Sequence, residues 1–106
     1  MDSRFETIGF EDAQKMLESI GKSVDPSTLD EWIELISKVA KQICNDPEGE
    51  HIKIVKTGQG QYNFPADRKS IDCVIQSIQQ QFNSMPQTQQ EYFKIVMTSL
   101  EAKKRE

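Results

Sequence analysis

The sequence predicts an α+β fold: four helices packed around one β-hairpin, in the order α-α-β-β-α-α. Three observations predict it. Apolar residues recur at spacings of three and four in four separate stretches, as helices with one buried face require. Between the second and third stretches the period falls to two, in two short runs separated by a glycine-rich turn. Capping or helix-breaking residues stand at most of the junctions.

The second helix is the predicted spine. Asp25 followed by Pro26 is a strong start, a capping carboxylate before a proline whose missing N–H costs nothing there. Leu29, Trp32, Ile33, Ile36, Val39, Ala40 and Ile43 then form the longest apolar stripe in the chain, closed by Asp46-Pro47 and Gly49. Ahead of it, Phe10, Ala13, Met16, Leu17 and Ile20 predict a short first helix, with Gly21 in the position after its end. The short link Lys22–Val24 predicts that these two helices pack together, antiparallel or at a steep angle. Phe5 and Ile8 are candidate anchors of the lead-in.

His51–Lys56 and Gln61–Phe64 alternate as strands. A two-residue turn would set Ile54 opposite Asn63 and put an amide on the apolar face. A three-residue loop sets Ile54 opposite Phe64 and Ile52 opposite Ala66, and leaves Gly60 for the left-handed bulge position. The second register is predicted, with Ile52, Ile54, Tyr62 and Phe64 facing the helices. Asp67 caps a third helix from Arg68 to about Ser84, striped by Ile71, Val74, Ile75, Ile78 and Phe82. Thr88 and Glu91 form a candidate capping box for a fourth, whose apolar face is Tyr92, Phe93, Val96, Met97 and Leu100. The whole chain, 1–106, reads as a single domain, with residues 1–8 and 102–106 expected to be flexible.

Composition narrows the function classes. Hydrophobic residues make up 36% and charged residues 28% of the 106, ordinary for a globular domain. No run approaches a membrane span, and the acidic, polar opening MDSRFETIGF predicts no secretory signal. Cys44 and Cys73 lie on predicted apolar faces with no Cys/His pairing, so no metal and no cofactor is expected. Two buried thiols in a reducing cytoplasm is the expectation, with a disulfide between them as the alternative. The net charge of −4 is unevenly spread: residues 1–50 hold 12 acidic and 5 basic side chains, a balance of −7, and residues 51–106 hold 5 and 8, a balance of +3.

Several motifs that resemble chemical sites have simpler readings. Gly21-Lys22-Ser23 resembles the end of a phosphate loop, but Met16 stands where its first glycine belongs and a helix precedes it. Gly58-Gln59-Gly60 joins two strands and opens no helix, so it is turn chemistry. His51, the one histidine, is a candidate acid/base beside Glu48 and Glu50, against the reading of a surface side chain. Asp25, Asp30, Glu31 and Glu34 suit the positive end of the helix dipole as well as they suit a cation. A helix-turn-helix reading would bring that acidic end to phosphates, which repulsion disfavours. Nucleic-acid binding through Lys53, Lys56, Arg68 and Lys69 is the remaining form of that idea. Tyr92 and Phe93 are adjacent, so one of them is expected to be partly exposed. The glutamines of 79–81 and 87–90 make a neutral surface able to hydrogen-bond a peptide backbone.

Leu35-Ile36, Ala40, Ile43 and the Asp46-Pro47 turn resemble the second helix and Asn-Pro turn of the PUB domain over about 25 residues. That resemblance implies an adaptor docking the C-terminal tail of an AAA ATPase. The chain has His51-Ile52-Lys53 where the family has Lys-Tyr-Arg, and its hairpin comes earlier, so no site residue is carried over.

The function expected from the sequence is that of a small cytoplasmic, non-catalytic interaction module or subunit. Its partner is a protein or peptide, or a second copy held through the last two helices. The docking site is an open hairpin edge or a groove between helices. Tyr62, Phe64, Lys53, Lys56 and Tyr92 are the candidate partner-binding residues, with the Tyr62–Phe64 strand as the favoured edge. A small enzyme using His51 and nucleic-acid binding are the alternatives.

Overall fold

In a computed structural model, residues 7–9, 11–21, 25–58, 61–65 and 67–105 are described. The elements are β1 (Thr7–Gly9), α1 (Glu11–Ser19), α2 (Pro26–Ile43), β2 (Val55–Gly58), β3 (Gln61–Pro65), α3 (Arg68–Phe82) and α4 (Gln87–Lys104). The four predicted helices and the hairpin are present in the predicted order. Phe5, Phe10, Lys22–Val24, Gly60 and Ala66 lie outside the described residues.

The sheet differs from a bare hairpin. Part of the expected lead-in is β1, which pairs antiparallel with β3, so the strand order is β1-β3-β2. The Tyr62–Phe64 strand is therefore central, with a neighbour along each side, and the open-edge docking site expected on it does not exist. Among the described residues, the open side of the hairpin belongs to β2. Its register at Val55–Asn63 and Lys56–Tyr62 is the predicted one, which carries Ile54 towards Phe64, but Gly58 pairs with Gln61 as part of β2, in place of the three-residue loop expected over 58–60. A bulge between Lys56 and Gly58 absorbs the turn.

The predicted strand at His51–Ile54 does not form; β2 begins only at Val55. The cause is Asp46. After Cys44 at the helix end, Asn45 takes a left-handed φ of 53°, and Asp46 N–H donates to the Lys41 carbonyl at 2.8 Å while Asn45 N–H donates to that of Gln42 at 3.2 Å. This is the Schellman closure, with asparagine in the glycine position. The Asp46 carboxylate then accepts from the amides of Glu50, His51 and Ile52 at 2.9–3.0 Å. Those amides point back into the loop and are withdrawn from any ladder.

Leu29, Ile36, Ala40, Ile52, Phe64, Ile71, Val74, Ile78, Tyr92, Phe93, Val96 and Leu100 are fully buried in one core. Of the predicted α2 stripe, Leu29, Ile33, Ile36 and Ala40 are buried, while Trp32, Val39 and Ile43 are only partly buried. The main contact of α2 is α3, where buried Ser77 donates its hydroxyl to the Ile36 carbonyl at 2.7 Å. The main contacts of α1 are α4 and β3, in place of the predicted packing on α2. With α1 and α3 both against it, α4 is covered over a wide arc. Adjacent Tyr92 and Phe93 are consequently both buried, edge to face with centroids 5.3 Å apart, where one was expected to be exposed.

At the start of α4 the expected capping box is absent: the helix begins at Gln87, one residue before Thr88, and no side chain caps it. Gln90 instead donates to the Phe82 carbonyl at 2.9 Å, tying the end of α3 to the start of α4. Gln89 is buried, so the glutamine-rich junction is partly interior. α4 runs on through Ala102 to Lys104, whose ammonium pairs with Asp72 of α3.

Cys44 and Cys73 are joined by a disulfide that ties the end of α2 to α3, in place of the two free thiols expected. Four helices and a sheet converge on one core, and α2 and α3 already meet along their lengths, so the two sulfurs are brought together by packing.

Phe64 sits at the centre of the core on the middle strand. Phe64→Ala should lower stability by about 3–5 kcal/mol in urea denaturation, whereas Val55→Ala, at a residue 50% exposed, should change it by no more than about 0.5 kcal/mol.

Candidate functional site

A groove of about 550 Å³ runs along α2, between the helix and the hairpin. One wall is Asp30, Ile33, Glu34, Ser37, Lys38 and Lys41, the side chains that helical periodicity places on one face of α2. The other is Pro47, Ile54, Lys56 and Tyr62. Asp30 to Lys41 spans about 16 Å at the helical rise, room for about five residues of extended chain. The groove has an apolar floor in Ile33 and Ile54 and two lysines, Lys38 and Lys41, towards the end of α2. These two also line an adjoining hollow of about 440 Å³ with Gln42, Asn45 and Pro47.

Asp30 holds the other end closed. Lys56 donates to one of its oxygens at 2.8 Å and the Tyr62 hydroxyl donates to the other. Lys56 and Tyr62 are cross-strand partners, so β2 and β3 deliver both donors to one carboxylate. The bond from Lys56, then that from Tyr62, hold the Asp30 carboxyl below its ordinary range. Burial first, and the Asp30 carboxylate second, push the Tyr62 phenol well above its usual value of 10. The ion pair is partly exposed and fixes geometry more than it adds stability.

The structure thus brings two of the expected partner-binding residues, Lys56 and Tyr62, into one groove. It does not bring the others there. Phe64 and Tyr92 are core residues with no exposure, and Lys53 is exposed but lines no part of the groove. Ile33, Lys38 and Lys41 were not singled out as site residues. Their signal was present, a polar and cationic stripe running beside the apolar one, but it resembles any solvated helix face until the hairpin is laid alongside.

His51 lies elsewhere, in a cleft of about 420 Å³ that it shares with Cys44, Asp46, Glu50, Asp67 and Lys69. The Asp46 oxygens are occupied by three amides, and one Asp67 oxygen accepts from Ser70 N–H as the cap of α3. The cations of the nucleic-acid alternative are separated: Lys56 faces Asp30, Lys69 shares this acidic cleft, and Arg68 donates to the Lys104 carbonyl at 3.4 Å. Among the described residues, no cluster of three or more His, Cys, Asp or Glu side chains is arranged to hold a metal, and no helix is long and apolar enough to cross a membrane. No family model, curated protein or solved structure matches this chain.

Both perturbed carboxylates set an acid limit. Backbone amides, with Ile52 foremost, hold the Asp46 carboxyl below its ordinary 3.8, as Lys56 and Tyr62 hold that of Asp30. Their contribution is present above pH 3.8 and is lost as the pH falls through the lower folded values. Stability measured against pH should therefore drop on acidification below that point, and Asp46→Asn should be less stable at neutral pH with a flatter acid limb.

The alkaline side has the opposite sign. Tyr62 and Tyr92, the two tyrosines of the chain, are both raised above 10, Tyr92 by burial. Their contribution is complete below pH 10 and is lost above it. In a spectrophotometric titration, phenolate absorbance should be absent near pH 10 and should arise only together with unfolding.

Proposed function

We propose that this chain is a non-catalytic, intracellular interaction module that binds an extended peptide segment of a protein partner in the α2–hairpin groove. The observation that carries the proposal is the juxtaposition of three features: a groove about five residues long, an apolar floor at Ile33 and Ile54, and the cationic end at Lys38 and Lys41. Lys56 of β2 lines this groove, and among the described residues β2 has no strand on its outer side, which leaves backbone groups for an added strand. The partner segment is expected to carry an apolar side chain for the floor and an acidic one for the lysines. Lys56 is engaged by Asp30, which leaves Lys38 and Lys41 as the cations facing that end. Oxygen-rich, uncharged peptides would lack the complementarity that sets register.

The test is selection from a random linear-peptide library, with binding mapped by amide chemical shifts. Selected peptides should pair an apolar with an acidic residue and shift Ser37, Lys41, Ile54 and Lys56. Reversing both charges with Lys38→Glu and Lys41→Glu should weaken binding at least about tenfold. Binders that map to another face, or that ignore the reversal, would refute the assignment.

A further inference from the structure

The Cys44–Cys73 bond stands at a junction that neither the groove nor the core accounts for. Cys44 is the residue that ends α2, half-buried and lining the cleft beside Lys69, whereas Cys73 is 6% exposed within α3. The next residue, Asn45, lines both this cleft and the hollow that extends the peptide groove. The residue after that, Asp46, gathers the amides of Glu50, His51 and Ile52. Three consecutive residues therefore join the disulfide, the wall shared by the two depressions and the centre of the loop.

We propose that Cys44–Cys73 is a redox-controlled clasp, opened by a dithiol that enters the His51 cleft, and that its opening loosens the Asn45–Ile52 loop and the cationic end of the groove. The loosening of the loop stands alone; its effect on ligand rests on the peptide-binding reading above. A thiolate of the dithiol attacks Cys44 Sγ, the sulfur that faces the cleft, and forms a mixed disulfide. The Cys44–Cys73 bond breaks and Cys73 leaves as a thiolate that takes up a proton. The second thiol of the reductant then attacks the mixed disulfide, releasing Cys44 as a thiol and the reductant as its own disulfide. Two electrons and two protons pass from dithiol to protein. A low-molecular-weight disulfide reverses the sequence.

Reduction leaves α2 and α3 packed on each other, with Ser77 still donating to the Ile36 carbonyl eight residues before Cys44. It removes the covalent hold at a helix end where the following residue is left-handed without being glycine, with Asn45 at φ 53°. Within the loop Pro47, Glu48, Glu50 and His51 are all exposed.

The experiment equilibrates the whole chain in buffers of reduced and oxidised dithiothreitol, traps thiols by alkylation and counts them by mass. Amide exchange is followed in parallel. One transition of two thiols per chain is expected. On reduction the Glu50, His51 and Ile52 amides should exchange at least about tenfold faster while those of Ile33 and Ile36 stay protected. The Cys44→Ser/Cys73→Ser variant should match the reduced chain in both buffers. Two alkylatable thiols under fully oxidising conditions would overturn the proposal, as would unchanged loop exchange. Equal loss of protection in α2 would also overturn it, by making the bond a staple of the whole fold. A peptide selected on oxidised protein should bind more weakly after reduction. If no peptide binds either form, the groove reading fails and the exchange data alone judge the clasp.

Discussion

Asp46 accepts hydrogen bonds from three consecutive backbone amides while it is itself almost removed from solvent. A buried carboxylate is tolerated only when its charge is answered, and here the backbone answers it. The arrangement converts the end of α2 into a fixed corner. The chain leaves the helix at Cys44, turns through the left-handed Asn45, circles Asp46 and emerges with Ile52 buried in the core. Where Ile52 is anchored decides which face Ile54 and Lys56 present two and four residues later, and thus what β2 offers to α2. The peptide groove and the His51 cleft share this corner: Pro47 lines one, Asp46 the other, and Asn45 belongs to the cleft and to the hollow that prolongs the groove.

Beyond that corner the architecture follows from how surfaces are divided among the helices. α2 gives its apolar stripe to α3 and keeps the adjacent face for the hairpin. That second face is closed by long side chains reaching across, Lys56 and Tyr62 onto Asp30, where a tight backbone approach would have left no groove. α4, between α1 and α3, has no free apolar face among Tyr92, Phe93, Val96 and Leu100, which removes the last helix as the seat of an aromatic docking site. A chain this short has few ways to combine a filled core with a lined depression. Here α1 is placed on α4 and the sheet, away from the main body of α2, and the side of α2 along the hairpin stays open.

What the sequence reveals and what it conceals divide along the range of the interactions. Helix starts at Asp25 and Asp67, the stop at Gly21 and the register of Ile54 with Phe64 were legible because each depends on a few neighbouring residues. The pairing of β1 with β3 joins residues more than fifty positions apart, and three residues of Thr-Ile-Gly carry too little pattern to announce it. The absence of a strand at His51–Ile54 was hidden by a sound alternation, because a side chain five residues earlier claimed the amides. The Thr88–Glu91 pair shows the converse: a correct local signal that is not used, since the chain turns into α4 at Gln87, directly after buried Met85 and exposed Pro86. Of the site, Lys56 and Tyr62 were foreseen and their carboxylate partner on another element was not.

The charge asymmetry of the chain takes on a different meaning once these partners are placed. The first fifty residues carry a balance of −7, which by itself would repel an acidic ligand. Yet three of the carboxylates behind that figure are engaged in structural tasks: Asp25 caps α2, Asp30 receives Lys56 and Tyr62, and Asp46 holds the loop. Two of the five cations in the same half, Lys38 and Lys41, line the groove and its extension. The groove lining holds Lys38, Lys41 and Lys56 against Asp30 and Glu34, a balance of +1 where the half-chain has −7. At a distance of about one Debye length, roughly 8 Å in physiological salt, a bound segment senses those two lysines more than the total. Net charge is therefore a poor guide to what this groove selects, and the positions of the answered carboxylates are a better one.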